Sequence, residues 1–142
     1  MTDDITAQTT PATPHVDESL VTYTNVIYAL HSLAVVIGIT TFHTIVGSFI
    51  WSLPSIIAVI MNYARRYATR GTYLESHFRW QIRTFWYAVG WSVVIWMVTV
   101  PLMLVLIGIP LFFAGYIVLA VWIVYRVFRG WIALRDQRAM YL

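Results

Sequence analysis

The sequence predicts an all-α integral membrane protein: a four-helix bundle with an amphipathic interfacial helix before the third span. Three observations lead there. Hydrophobic residues make up 60% of the 142-residue chain and charged residues only 11%, against about 25% charged in ordinary soluble domains, so a soluble fold would lack a polar surface. The charges are also segregated, with no Asp, Glu, Lys or Arg between Glu18 and Arg65 or between Arg83 and Arg126. A continuous helix of about forty residues would span about 60 Å, twice the roughly 30 Å hydrocarbon core, so each charge-free tract reads as two crossings joined by a tight turn. Finally, the basic residues are all arginine and fall in two clusters, Arg65 to Arg83 and Arg126 to Arg138. Four crossings put both clusters and the N-terminal segment on one side of the membrane. The positive-inside rule assigns that side to the cytoplasm. The expected location is a bacterial inner membrane, multi-pass, with both termini cytoplasmic.

The elements follow in order. Residues 1–20 carry Asp3, Asp4, Asp17 and Glu18 among Thr and Pro, and read as a disordered polar tail without the basic and apolar regions of a secretory signal. A four-span membrane domain occupies 21–130. Its first span runs over about 22–44, with a turn near His43 to Ser48. The second, about 49–63, is short and carries Pro54, which frees a backbone carbonyl and favours a kink. Thr72 and Glu75 have the spacing of a capping box, opening an interfacial helix over 72–84. Leu74, Phe78, Ile82 and Phe85 form its apolar stripe, and Glu75 and Arg79 are an i,i+4 pair in the favourable order. Trp80, Trp86 and Tyr87 sit where aromatic belts sit, at headgroup depth. The third span follows at about 85–106, with Pro101 near its far end. Gly108-Ile109-Pro110 is a strong break. The fourth span runs over about 111–127, Gly130 ends or kinks it, and 131–142 form a short basic tail.

Function classes narrow by elimination. The chain contains no cysteine, which removes disulfides and thiolate metal sites. The spans contain neither Asp nor Glu, so intramembrane acid–base or metal hydrolysis has no carboxylate to work with. No Gly-rich phosphate loop or Gly-x-Ser-x-Gly occurs. The reading is therefore non-enzymatic, with no catalytic residue, cofactor or metal. Nucleic-acid binding would also mix arginines with aromatics, but arginines flanking a span already have a topological role, so no nucleic acid is expected. The candidate lipid- or partner-binding residues are Arg65, Arg66, His77, Arg79, Trp80, Gln81, Arg83, Arg126 and Arg129. Their expected partners are anionic lipid headgroups, other membrane proteins or further copies of the chain. His77 is read as an interfacial histidine bonding water or a headgroup, since Glu75 two residues away points elsewhere on a helix. Asn25, Tyr28, His31 and Asn62 lie in the cytoplasmic half of their spans. They either line a shallow polar groove or lock helices together. The leading function is a non-enzymatic component of a membrane assembly acting through protein or anionic-lipid contacts. The rival is a small oligomeric transporter or channel with a polar path near His31 and Asn62. Small residues including Gly108 and Gly115 suit close helix packing.

Three segments carry a family resemblance: Asn62-Tyr63-Ala64-Arg65-Arg66, Gly71 through Trp86 with its His77-Phe78-Arg79-Trp80-Gln81 core, and Tyr125 through Trp131. Together they resemble a group of small proteobacterial inner-membrane proteins of unknown function. That group is distantly similar to the twenty-kilodalton component of the chloroplast inner-envelope import machinery. The resemblance covers about residues 22–140. It implies a four-helix membrane domain with both ends in the cytoplasm, and transfers no catalytic residue.

Overall fold

The computed structural model describes residues 16–41 and 45–140, with side chains outside 41–52. The described residues form four helices and no strand: α1 (Glu18–Thr41), α2 (Ile45–Ala64), α3 (Tyr73–Leu102) and α4 (Gly108–Arg135), with a 3-10 turn at Met103–Val105. An all-α bundle is what charge-free tracts dictate. In hydrocarbon each unsatisfied backbone group costs several kcal/mol, so the chain bonds to itself as helix even where β-branched residues weaken intrinsic propensity. Three of the helices, α1, α3 and α4, are long and apolar enough to cross a membrane. In α2 the described apolar stretch is Leu53–Ala64, shorter than a span.

α1 packs chiefly on α2 and α3 on α4. The two hairpins join at the end that carries the arginines. There Leu20, Tyr28, Leu74, Val127 and Leu134 form one buried cluster, and Ile27, Ala58 and Phe78 a second. Away from this end α3 and α4 face outward: 6% and 11% of their apolar windows are buried, against 39% for α1. Trp91, Trp96, Met97 and Val118 are all exposed. So large an apolar surface suits acyl chains rather than water.

Several boundaries differ from expectation. α1 ends at Thr41 and the chain is helical again from Ile45, so Ile45 to Ser48 belong to a helix rather than a turn; His43 and Thr44 lie outside the described residues. Pro54 sits inside α2. The interfacial helix and third span are one 30-residue helix, α3, because nothing between Tyr73 and Pro101 breaks it. Neither bond of the expected capping box forms. Glu75 Oε2 accepts from Gly71 N–H at 3.1 Å, not from Thr72, while the Thr72 hydroxyl donates to Thr69 O at 2.7 Å. α4 runs through Gly130 to Arg135, so residues 131–135 extend the helix and are not a tail. Glycine is used there for close approach, not for termination.

The α3–α4 connection depends on a second glycine. A Cβ on Gly108 would fall on the backbone of Met103, Thr99 and Leu102, so only glycine lets α4 begin against the end of α3. Further along, a Cβ on Gly115 would meet the Ile95 side chain at 3.2 Å. Both glycines therefore serve packing of α4 on α3.

Candidate functional site

The arginine end of the bundle is organised around a buried histidine. His77 is fully buried. Its Nε2 lies 2.8 Å from the backbone carbonyl of Arg138 and its Nδ1 lies 2.9 Å from the Tyr28 hydroxyl. A carbonyl only accepts, so Nε2 carries the proton and donates to Arg138 O; Nδ1 then accepts from the Tyr28 O–H. Both ring nitrogens of the neutral imidazole are thus engaged inside the protein, and neither reaches a headgroup. This corrects the expectation of an interfacial His77. The physical reason is that α4 and the segment after it fold across α3. Met140 is buried and its backbone N–H donates to Ser76 Oγ at 2.8 Å.

Tyr28 ties α1 to the same knot. Trp131 lies parallel to its ring, with centroids 6.5 Å apart, and Trp131 Nε1–H donates to Asn25 Oδ1 at 3.1 Å. Gln81 is buried beside the Tyr28 hydroxyl, and it too is absent from the lipid-facing surface where it was expected. Of the residues expected to line a polar groove, Asn25 and Tyr28 therefore act as helix locks. His31 and Asn62 are buried. His31 Nε2 and both amide atoms of Asn62 have no hydrogen-bond partner among the described residues.

The surface group is built from arginine and tryptophan. The Arg126 guanidinium lies 3.6 Å from the centroid of the Trp80 ring and 5.0 Å from that of Trp122, with Nε–H donating to Thr84 Oγ1 at 2.8 Å. Trp80 Nε1–H donates in turn to Arg126 O at 3.2 Å. Cation–π contacts of this kind are worth about 0.5–2 kcal/mol depending on desolvation, and favour the stacked position of Arg126. Arg83 and Arg129 are its charged neighbours. Arg129 reaches the Tyr125 hydroxyl at 3.0 Å and borders an open groove with Phe128, Ile132 and Arg138. Among the described residues no carboxylate pairs with Arg83, Arg126 or Arg129; the ion pairs found are Arg79–Glu75, Arg135–Asp136 and Arg138–Asp136. Arg65 stands apart, its guanidinium 5.1 Å from the Tyr23 ring centroid, and the neighbouring Arg66 is exposed.

Sequence reading missed Ser76, Thr84, Trp122, Gly130 and Trp131 as members of this end. Their partners lie 42 to 106 residues away for Thr84, Ser76 and Trp131, separations no local pattern encodes. Gly130 stands out in the sequence, but as a helix stop rather than as a packing position, a role only the run of α4 through it removes. Comparison with protein-family models, curated proteins and solved structures finds no match to this chain.

Proposed function

We propose that this protein is a non-enzymatic integral membrane protein whose arginine end binds anionic lipid headgroups at the cytoplasmic surface, with both termini on that side. The observation that carries the reading is the trio Arg83, Arg126 and Arg129, without a carboxylate partner among the described residues, with Arg126 clamped between Trp80 and Trp122. Arginine forks match phosphate oxygens bidentately, and tryptophan is at home at headgroup depth. The aromatic clamp reduces the side-chain entropy lost when a phosphate binds. A role inside a larger membrane assembly is compatible with the same surface.

The test is lipid selection in bilayer nanodiscs containing phosphatidylcholine and phosphatidylglycerol, with bound lipid quantified after extraction. Each arginine near an anionic surface contributes about 1 kcal/mol. The wild type should enrich phosphatidylglycerol, and the triple variant Arg83→Gln, Arg126→Gln, Arg129→Gln should lose about tenfold or more of that preference. High salt should weaken the wild type in the same direction. Equal lipid composition around wild type and variant would remove the proposal.

A second reading has one observation in its favour: the unpaired buried polar atoms of His31 and Asn62 lie within the bundle, where a small transporter or channel would place its polar path. Solute flux in proteoliposomes that disappears in His31→Ala would replace the lipid-binding reading with this one.

A further inference from the structure

The tip of the α3–α4 hairpin is made entirely of Met103, Leu104, Val105, Leu106 and Ile107. Leu104 is 91% exposed and Leu106 73%. Among the described residues the 3-10 turn touches only α3 and α4. A turn that reaches water is ordinarily polar, so this one needs another environment.

Several of its backbone donors are satisfied within the hairpin. The Met103 N–H is satisfied by carbonyls of the last turn of α3. Leu106 adopts φ 62°, a left-handed conformation uncommon for a residue with a γ-branched side chain, and its N–H donates to Met103 O at 3.1 Å. Pro110 in the first turn of α4 removes one donor that no helix bond could satisfy. The Thr99 hydroxyl donates to Ile95 O at 2.7 Å. These bonds leave fewer backbone and hydroxyl groups at the turn for lipid to leave unsatisfied, which lowers the cost of irregular backbone at membrane depth.

The dimensions bring the tip to the far edge of the hydrocarbon and not beyond it. Arg83 and Arg126 flank the hairpin about 21 residues to either side of the tip, roughly 32 Å of helix against a hydrocarbon core of about 30 Å. An average tilt of about 20° shortens that reach by about 2 Å, to about the thickness of the core. The tryptophans of α3 do not mark a far interface, because Trp86 and Trp96 are only about 15 Å apart along the helix.

We infer that the α3–α4 turn is embedded in the acyl chains of the far leaflet, so that this hairpin presents no loop to the far aqueous phase. The inference rests on the membrane reading above and commits to lipid, not a second protein chain, as the material covering the tip.

The absence of native cysteine allows Leu104→Cys and Leu106→Cys in the full chain without background thiols. Arg70→Cys and Gln137→Cys serve as water-exposed controls. Carbonate-resistant membrane association of each variant tests the membrane reading by itself; its loss would reject that reading and the inference with it. In sealed proteoliposomes a charged maleimide supplied on both faces should label the two tip cysteines at least about tenfold more slowly than the controls, as expected for a site without water. A bimane attached at Leu104→Cys should be quenched by phosphatidylcholine carrying a spin label deep in its acyl chain. Labelling of the tip at control rates would overturn the inference by placing the turn in water. Protection without lipid quenching would overturn it equally, by showing that protein covers the tip.

Discussion

Gly130→Ala tests the joint between α1 and α4. A Cβ at this position would stand 2.5 Å from the Tyr28 hydroxyl oxygen, 2.8 Å from Cε1 and 2.9 Å from Cζ, about 1 Å inside ordinary carbon contact. Tyr28 cannot simply swing aside. Its hydroxyl is bonded to His77 Nδ1 at 2.9 Å, and Trp131 lies parallel to its ring. Overpacking of this kind costs about 1–3 kcal/mol, and a shifted phenol also loses a hydrogen bond worth about 1 kcal/mol. Against this, replacing glycine by alanine in a helix contributes up to about 1 kcal/mol. The expected net effect is a loss of about 1–3 kcal/mol by those three terms. Gly90→Ala is the internal control, because nothing lies within 4 Å of a Cβ there. It retains the helix gain without the clash, so the two variants should differ by about 2–4 kcal/mol. The assay is unfolding in mixed micelles by increasing sodium dodecyl sulfate, followed by tryptophan fluorescence. Adding Tyr28→Leu to Gly130→Ala should recover part of the loss, since residues in contact are non-additive. Equal unfolding midpoints for the two glycine variants would refute the contact.

The other predictions concern the buried polar groups. His77→Phe removes both the bond to Tyr28 and the bond to Arg138 O; losing the latter should raise tryptic cleavage after Arg138 by about fivefold, as expected when a segment loses roughly 1 kcal/mol of local protection. Ser76→Ala, which removes the acceptor for Met140 N–H, should raise the same cleavage while leaving Tyr28–His77 intact. Asn62→Leu replaces a fully buried amide whose polar atoms have no partner among the described residues; it should be neutral or stabilising in the same micelle assay, since an unpaired buried amide costs about 1–3 kcal/mol. A strongly destabilised Asn62→Leu would instead mean that the amide is bonded in the native protein.

Segregated charge by itself makes the fold class legible. Over forty residues without Asp, Glu, Lys or Arg on each side of Arg65 to Arg83 leave helix as the backbone's only self-sufficient state in lipid. Helix bounds are less legible. Gly130 reads as a stop because glycine disfavours helix by about 1 kcal/mol relative to alanine; α4 continues through it because the Tyr28 ring occupies the space a side chain would need. Thr72 and Glu75 show the same limit, since spacing alone does not say which N–H the carboxylate finds. The arginines of the proposed site are visible from their position at the ends of the charge-free tracts. The clamp that orders Arg126 is not, because Trp80, Thr84 and Trp122 come from two helices that meet only in the folded hairpin.

His77 marks the division most clearly. Its place in an arginine-bearing helical stretch follows from local sequence, which one helix encodes within a few turns. Its burial does not. That depends on Tyr28, 49 residues earlier, and on the carbonyl of Arg138, 61 residues later, both brought against the ring by packing of α1 and α4 on α3. Local pattern places a side chain on a face; only the other helices decide whether that face meets lipid, water or protein.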